Sequence, residues 1–261
     1  MRKIFIIAAV AIVALALAAC PTDGDDGGGG SGIPDGIVIK TAKQTDVGFA
    51  LTGTDITINW GDDTPDSEQD MFPFWTDNHN YTDGKEHTIT ITGKINKLTC
   101  NSMELTSLDV RAAKELEELN CHTNKLTSLN VSKNTALVEL FCPNNELESL
   151  NVKGAAALQY LLCYDNELKS LKTSGAPALI GIDCSSNALN SLDVSRNTML
   201  EDLICPKNDM KASALNTLFK TLPNRTGDPV CKIYIYGNPG AAGCNQSLAT
   251  AKKWTVVDVA P

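Results

Sequence analysis

Residues 116–131 read Leu116-Glu117-Glu118-Leu119-Asn120-Cys121-His122-Thr123-Asn124-Lys125-Leu126-Thr127-Ser128-Leu129-Asn130-Val131. The same frame returns 21 residues later as Leu137, Leu140, Cys142, Asn145, Leu147, Leu150 and Val152. Working outward in both directions, Cys100, Cys121, Cys142, Cys163, Cys184 and Cys205 stand 21 residues apart without an insertion. Each follows by two residues one of Leu98, Leu119, Leu140, Leu161, Ile182 and Leu203. A fixed period of this length means a coil that returns to the same place, so that one short strand per coil pairs with the next at about 4.8 Å. Alternation along that strand sends Leu119 and Cys121 inward and Glu118, Asn120 and His122 outward. Asn124, Asn145, Asn166, Asn187 and Asn208 fall where the chain leaves the strand, and their amides can satisfy backbone groups of neighbouring coils.

The frame L-x-x-L-x-C-x-x-N-x-L-x-x-L-x-V resembles the leucine-rich repeat in its 21-residue, cysteine-containing form, found in internalin-like bacterial surface proteins. The resemblance spans about residues 95–210 and implies a fold class: an α/β-type repeat solenoid, mostly β, with short parallel strands. Every cysteine spacing in this column is 21, whereas zinc sites need close ligand pairs, so no metal and no cofactor are expected. Strand spacing alone would allow disulfides between coils. Burial and a shared side-chain direction point instead to a column of thiols used as small core residues.

The chain has 261 residues, 43% of them apolar and 20% charged, with a net charge of -9. That balance suits a folded protein and leaves no basic surplus for phosphates, so nucleic acid is not an expected partner. Arg2 and Lys3 precede the apolar run 4–19, which reads as a secretion signal. The quartet Leu17-Ala18-Ala19-Cys20 resembles a bacterial lipobox, which implies cleavage after residue 19 and a lipid on Cys20. The membrane contact is then the lipid, and the location the bacterial cell envelope, at the outer membrane or cell surface. Residues 20–32 are rich in Asp and Gly and read as a flexible tether.

Residues 33–94 read as a small β-sandwich-like module with strands near 37–39, 49–51, 56–60 and 88–92. Asn59-Trp60-Gly61-Asp62-Asp63-Thr64-Pro65, followed by His79-Asn80-Tyr81, resembles a PKD-like module, although the phenylalanine of that motif is missing and Asp63 replaces its second glycine. After the six repeats, 211–261 reads as an α+β cap. Ser213 is expected to cap a helix carrying Leu215, Leu218, Phe219 and Leu222. Cys231 and Cys244, 13 residues apart, are expected to form a disulfide in an oxidising compartment.

Three aromatics fall within the repeats, Phe141, Tyr160 and Tyr164, all at outward strand phase. With Leu162, His122 and Ile204 they define a candidate ligand-binding patch. The three histidines are scattered, and no nucleophile elbow, metalloprotease or phosphate-loop motif occurs, so an enzyme is not expected. The expected function is a lipid-anchored surface protein whose repeat face binds another protein, as in adhesion. Two other roles fit the same residues: carbohydrate binding through stacked rings, and an envelope scaffold without an external ligand.

Overall fold

The computed structural model describes residues 36–225 and 231–260. The expected signal segment, Cys20 and the expected tether lie outside the described residues. No helix among them is long and apolar enough to cross a membrane.

The protein is a leucine-rich-repeat solenoid. Its coil strands are three residues each: β6 (Glu118–Asn120), β8 (Glu139–Phe141), β10 (Tyr160–Leu162), β11 (Gly181–Asp183) and β12 (Asp202–Ile204). They pair in parallel with a shift of one full coil, so Leu119, Leu140, Leu161, Ile182 and Leu203 are cross-strand neighbours. These residues and the six ladder cysteines are buried. Burial pushes the Cys121 thiol up to about 12 and raises the others, so the ladder is neutral apolar packing. On the opposite side of the coils β7 (Ser128–Asn130) and β9 (Ser149–Asn151) form a second, two-stranded parallel pair.

The asparagine column closes each coil onto the one before it. Asn145 Nδ2 donates to Cys121 O at 3.0 Å and Cys142 O at 3.2 Å, while its Oδ1 accepts Leu126 N–H at 3.1 Å. Asn166, Asn187 and Asn208 repeat the arrangement one coil at a time, with Nδ2 donating to the preceding coil's cysteine carbonyl at 3.0 Å in each case. The residue before each asparagine, Thr123, Asn144, Asp165, Ser186 and Lys207, holds a left-handed backbone with φ between 51° and 57°. None is glycine, so each coil carries a local conformational cost that the amide bonds offset.

At the N-terminal end β1 (Ile37–Thr41), β2 (Val47–Asn59), β3 (Ser67–His79) and β4 (His87–Thr99) are antiparallel. They do not form a separate sheet. β4 is 13 residues long. Its first half pairs with β1, and its last three residues, 97–99, pair in parallel with β6 as the first coil strand. The expected boundary at residue 94 thus falls inside a continuous strand. β5 (Leu105–Asp109) pairs with the other edge of β1, tying the first coil to the module a second time.

The C-terminal cap holds α1 (Ala212–Thr221), β13 (Cys231–Tyr234), α2 (Ser247–Thr250) and β14 (Trp254–Val257). Leu215, Leu218, Phe219 and Leu222 are buried as the helical spacing requires. Ser213 is not the cap: the helix begins at Ala212 with Lys211 before it, and no side chain caps the end. β13 pairs in parallel with β12 and acts as a seventh coil strand. Asn238 repeats the asparagine bonds there, donating to Cys205 O and Ile235 O at 2.9 Å and accepting Met210 N–H at 3.1 Å. The expected Cys231–Cys244 disulfide is not formed. Cys231 opens β13 beside the Arg225 guanidinium, and Cys244 follows a short turn in which its Sγ donates to Ala241 O at 3.2 Å.

Asn145→Ala would leave the Leu126 N–H buried without an acceptor and take one of two amide donors from each of Cys121 O and Cys142 O, which keep Asn124 and Asn166; a loss of about 3 kcal/mol in chemical denaturation is expected. An unchanged denaturation midpoint would show that the column is not what joins the coils.

Candidate functional site

The parallel register arranges the outward side chains in rows that run from coil to coil. Leu162 lies opposite Phe141 on one side and Asp183 on the other. Asp183 lies opposite Ile204, and Ile204 opposite Tyr234. A second row holds the residues that follow Cys121, Cys142, Cys163, Cys184 and Cys205, namely His122, Pro143, Tyr164, Ser185 and Pro206, and continues with Tyr236 after Ile235. Coil-to-coil bonds between the flanking backbone groups set it, as in Thr123 N–H to Pro143 O at 3.0 Å and Asp165 N–H to Ser185 O at 3.0 Å. A third row carries Glu118, Glu139, Tyr160, Gly181, Asp202 and Lys232.

All six candidate residues, His122, Phe141, Tyr160, Leu162, Tyr164 and Ile204, are half-buried on this face. The register brings four of them together: Tyr160, Leu162 and Tyr164 share a coil, and Phe141 sits on the adjacent one. His122 is separated from Tyr164 by Pro143, and Ile204 from Leu162 by Asp183, so these two flank the cluster. His122 Nδ1 lies 2.9 Å from Thr123 Oγ1.

Two tyrosines and an acid belong to the same face and were missed from the sequence. Tyr234 and Tyr236 extend the rows through β13, because Cys231-Lys232-Ile233-Tyr234-Ile235-Tyr236-Gly237-Asn238 keeps the apolar-x-apolar-x-x-Asn core of the coils. The signal was present but stands 30 residues after the sixth coil instead of 21, behind the inserted helix α1.

Acids on the face are shifted by their surroundings. Burial raises the Glu139 carboxyl, reinforced by Glu118 and opposed by Lys97, whose Nζ is 2.7 Å from Glu118. Burial also raises Asp202, which Lys232 partly offsets. Asp183 is raised by burial between its apolar neighbours, against the two bonds from Ser185, and Asp165 adds to the rise.

The N-terminal candidates form a different structure. Phe49, Trp60, His79, Tyr81 and His87 make a column of rings with successive centroids 5.8, 4.7, 4.7 and 3.6 Å apart. Asp62 lies 2.6 Å from His79 Nε2, Asp83 lies 2.9 Å from His87 Nε2, and Tyr81 Oη donates to Trp60 O at 2.7 Å. Asp66 accepts from Asn59 Nδ2 at 2.8 Å. Among the described residues no three His, Cys, Asp or Glu converge as metal ligands would. These residues hold the turn and the corner.

No protein-family model and no curated protein matches the chain. Among solved structures it is similar to the functional domain of the internalin InlJ from Listeria monocytogenes, which includes a cysteine ladder, with 32% identity and a TM-score of 0.49 over 62% of this chain and 38% of that one. It is also similar to the leucine-rich effector YopM from Yersinia pestis, at 23% identity and a TM-score of 0.39 over 48% and 33% of the two chains. A Shigella effector leucine-rich-repeat domain matches at 21% identity and a TM-score of 0.41, over 55% and 70%. The chain thus spans well under half the length of the first two.

A carboxyl raised on folding costs stability once it ionises, from the ordinary carboxylate range upward. Asp183→Asn removes that charge, and the amide oxygen can keep both bonds from Ser185. The variant is therefore expected to melt above the wild type at pH 7, with the difference shrinking as pH falls through the raised Asp183 value. Thermal melts at pH 4 to 8 check this, and an equal or lower melting temperature at pH 7 would contradict it.

Proposed function

We propose that the protein is a non-catalytic binding protein of the bacterial cell envelope, anchored by lipid on Cys20, whose outward coil face recognises another protein in adhesion. One observation carries this reading. No aromatic residue of the six repeats is among the buried core, and Phe141, Tyr160 and Tyr164 stand together on the outward rows, which Tyr234 and Tyr236 continue. Large rings at a water-facing surface gain little for the fold, whereas in an interface they supply contact area at low entropic cost. The rows are fixed by backbone pairing to strands on both sides, so the face meets a partner already ordered.

Two support devices fit the same role. The Asp- and Gly-rich composition of 20–32 suits a link to a lipid anchor, and the acidic net charge of -9 leaves that anchoring to the lipid. The chain carries no paired nucleophile and base among the motifs that enzymes use, and the ladder thiols are held neutral in the core.

Tyr160→Ala combined with Tyr164→Ala is expected to weaken binding to the partner by at least about tenfold, as loss of two central aromatic anchors does, with no fall in melting temperature. Proteins retained by the wild-type chain and lost with this pair, but kept with Ser149→Ala on the opposite side, identify the partner class, and retention of sugars on a glycan array would favour the carbohydrate reading instead. In cells, labelled palmitate is expected on the wild type and absent from Cys20→Ser, while proteinase treatment of intact cells removes the solenoid; survival of the solenoid would indicate a scaffold facing the periplasm.

A further inference from the structure

Asp183 differs from every other acid in the three outward rows. Glu118 pairs with Lys97 at 2.7 Å, Glu139 feels the same lysine, and Asp202 has Lys232 opposite it on the next strand. Asp183 has no such cation among the described residues, and the charge that acts on it is another acid, Asp165. It stands at the middle of the row Phe141, Leu162, Asp183, Ile204 and Tyr234, with an apolar side chain on each neighbouring strand.

The carboxylate is also oriented. Ser185 N–H and Ser185 Oγ both bond Oδ1, at 3.0 and 2.6 Å, and no donor among the described residues engages Oδ2. Two residues along the same strand and on the same face is Gly181, whose missing side chain leaves room for a ring. The Tyr160 ring occupies that room: a Cβ placed on Gly181 would stand 3.2 Å from Tyr160 Cδ1 and 3.5 Å from Cε1. The chain therefore sets an aromatic ring on the strand that carries the fixed carboxylate.

Resting on the reading of this face as a recognition surface, we propose that Asp183, with the Tyr160 ring beside it, is the seat for a cationic side chain, an arginine foremost, presented by the docking protein. Once a partner covers the rows, water is excluded and an unpaired carboxylate between Leu162 and Ile204 would oppose binding. A guanidinium removes that cost by donating to the carboxylate, and its flat face suits the neighbouring ring, which an ammonium uses less well. The overall charge of -9 favours the approach of a basic segment.

The probe is a short blocked peptide, Ac-Gly-Arg-Gly-NH2, titrated into the methyl-labelled full-length chain, with the isosteric neutral citrulline peptide beside it. Saturable shifts at the Leu162 and Ile204 methyls are expected, with the arginine peptide about tenfold tighter than citrulline, the margin of a charge-assisted over a neutral bond. Asp183→Asn is expected to erase that preference and Glu139→Gln to keep it. Equal affinity for the two peptides, an undiminished preference in Asp183→Asn, or no shift from either peptide would each overturn the cation seat. None of those results touches the recognition face itself, which stands or falls with the Tyr160 and Tyr164 pair.

Discussion

Everything in the solenoid depends on one side-chain amide per coil. From the second coil to the sixth, an asparagine at the strand exit donates to the cysteine carbonyl of its own coil and to that of the coil before, and accepts an N–H from the preceding coil's turn. Those backbone groups lie where the chain bends away from the sheet and cannot pair with strand neighbours. Without the amide they would be buried and unpaired. In the regular coils the donor meets carbonyls 3 and 24 residues earlier, and Asn238 keeps the same bonds across the coil that α1 lengthens, with Cys205 O 33 residues earlier. The bond set tolerates a left-handed residue just before the asparagine, which Thr, Asn, Asp, Ser and Lys all adopt in turn.

The cysteines follow from the same constraint. A coil pinned this tightly leaves a narrow interior at that position, and a thiol fills it with little volume and little polarity. Ile235 takes the site in the seventh coil, so the position asks for a modest apolar group and not for sulfur chemistry. The two ends solve the exposure of the solenoid core differently. At the start β4 changes partners along its length, serving the antiparallel module and then the first coil. At the finish a helix is inserted before the last coil strand, and Trp254 closes the core with its Nε1 donating to Pro223 O at 2.9 Å.

Function inherits this rigidity. A sheet of three-residue parallel strands holds the outward side chains in straight rows, and the same register that stacks leucines inside aligns rings and acids outside. Aromatic side chains gather in the middle coils and again at the seventh, with the small residues Gly181 and Ser185 and the carboxylate of Asp183 between. Such a surface recognises by position: which residue faces the solvent in which coil is set by the backbone and cannot adjust when a partner arrives.

The period of 21, the inward leucines and cysteines, the asparagine column and the outward phase of Phe141, Tyr160, Leu162 and Tyr164 were all legible in the sequence, because each is a local pattern repeated at fixed spacing. The seventh coil was hidden by the insertion of α1, and no bridge joins Cys231 to Cys244 in this structure, a pairing that spacing along a chain does not fix. The continuity of β4 across the module boundary was likewise invisible, since one strand can change partners without any change in its own alternation. The sequence by itself determined the coil, its interior and which side chains leave it. Only the tertiary structure decided which of those side chains meet, that Asp183 sits between Leu162 and Ile204, and that Tyr160 lies over Gly181, because contacts between coils are set by register and not by neighbours in the chain.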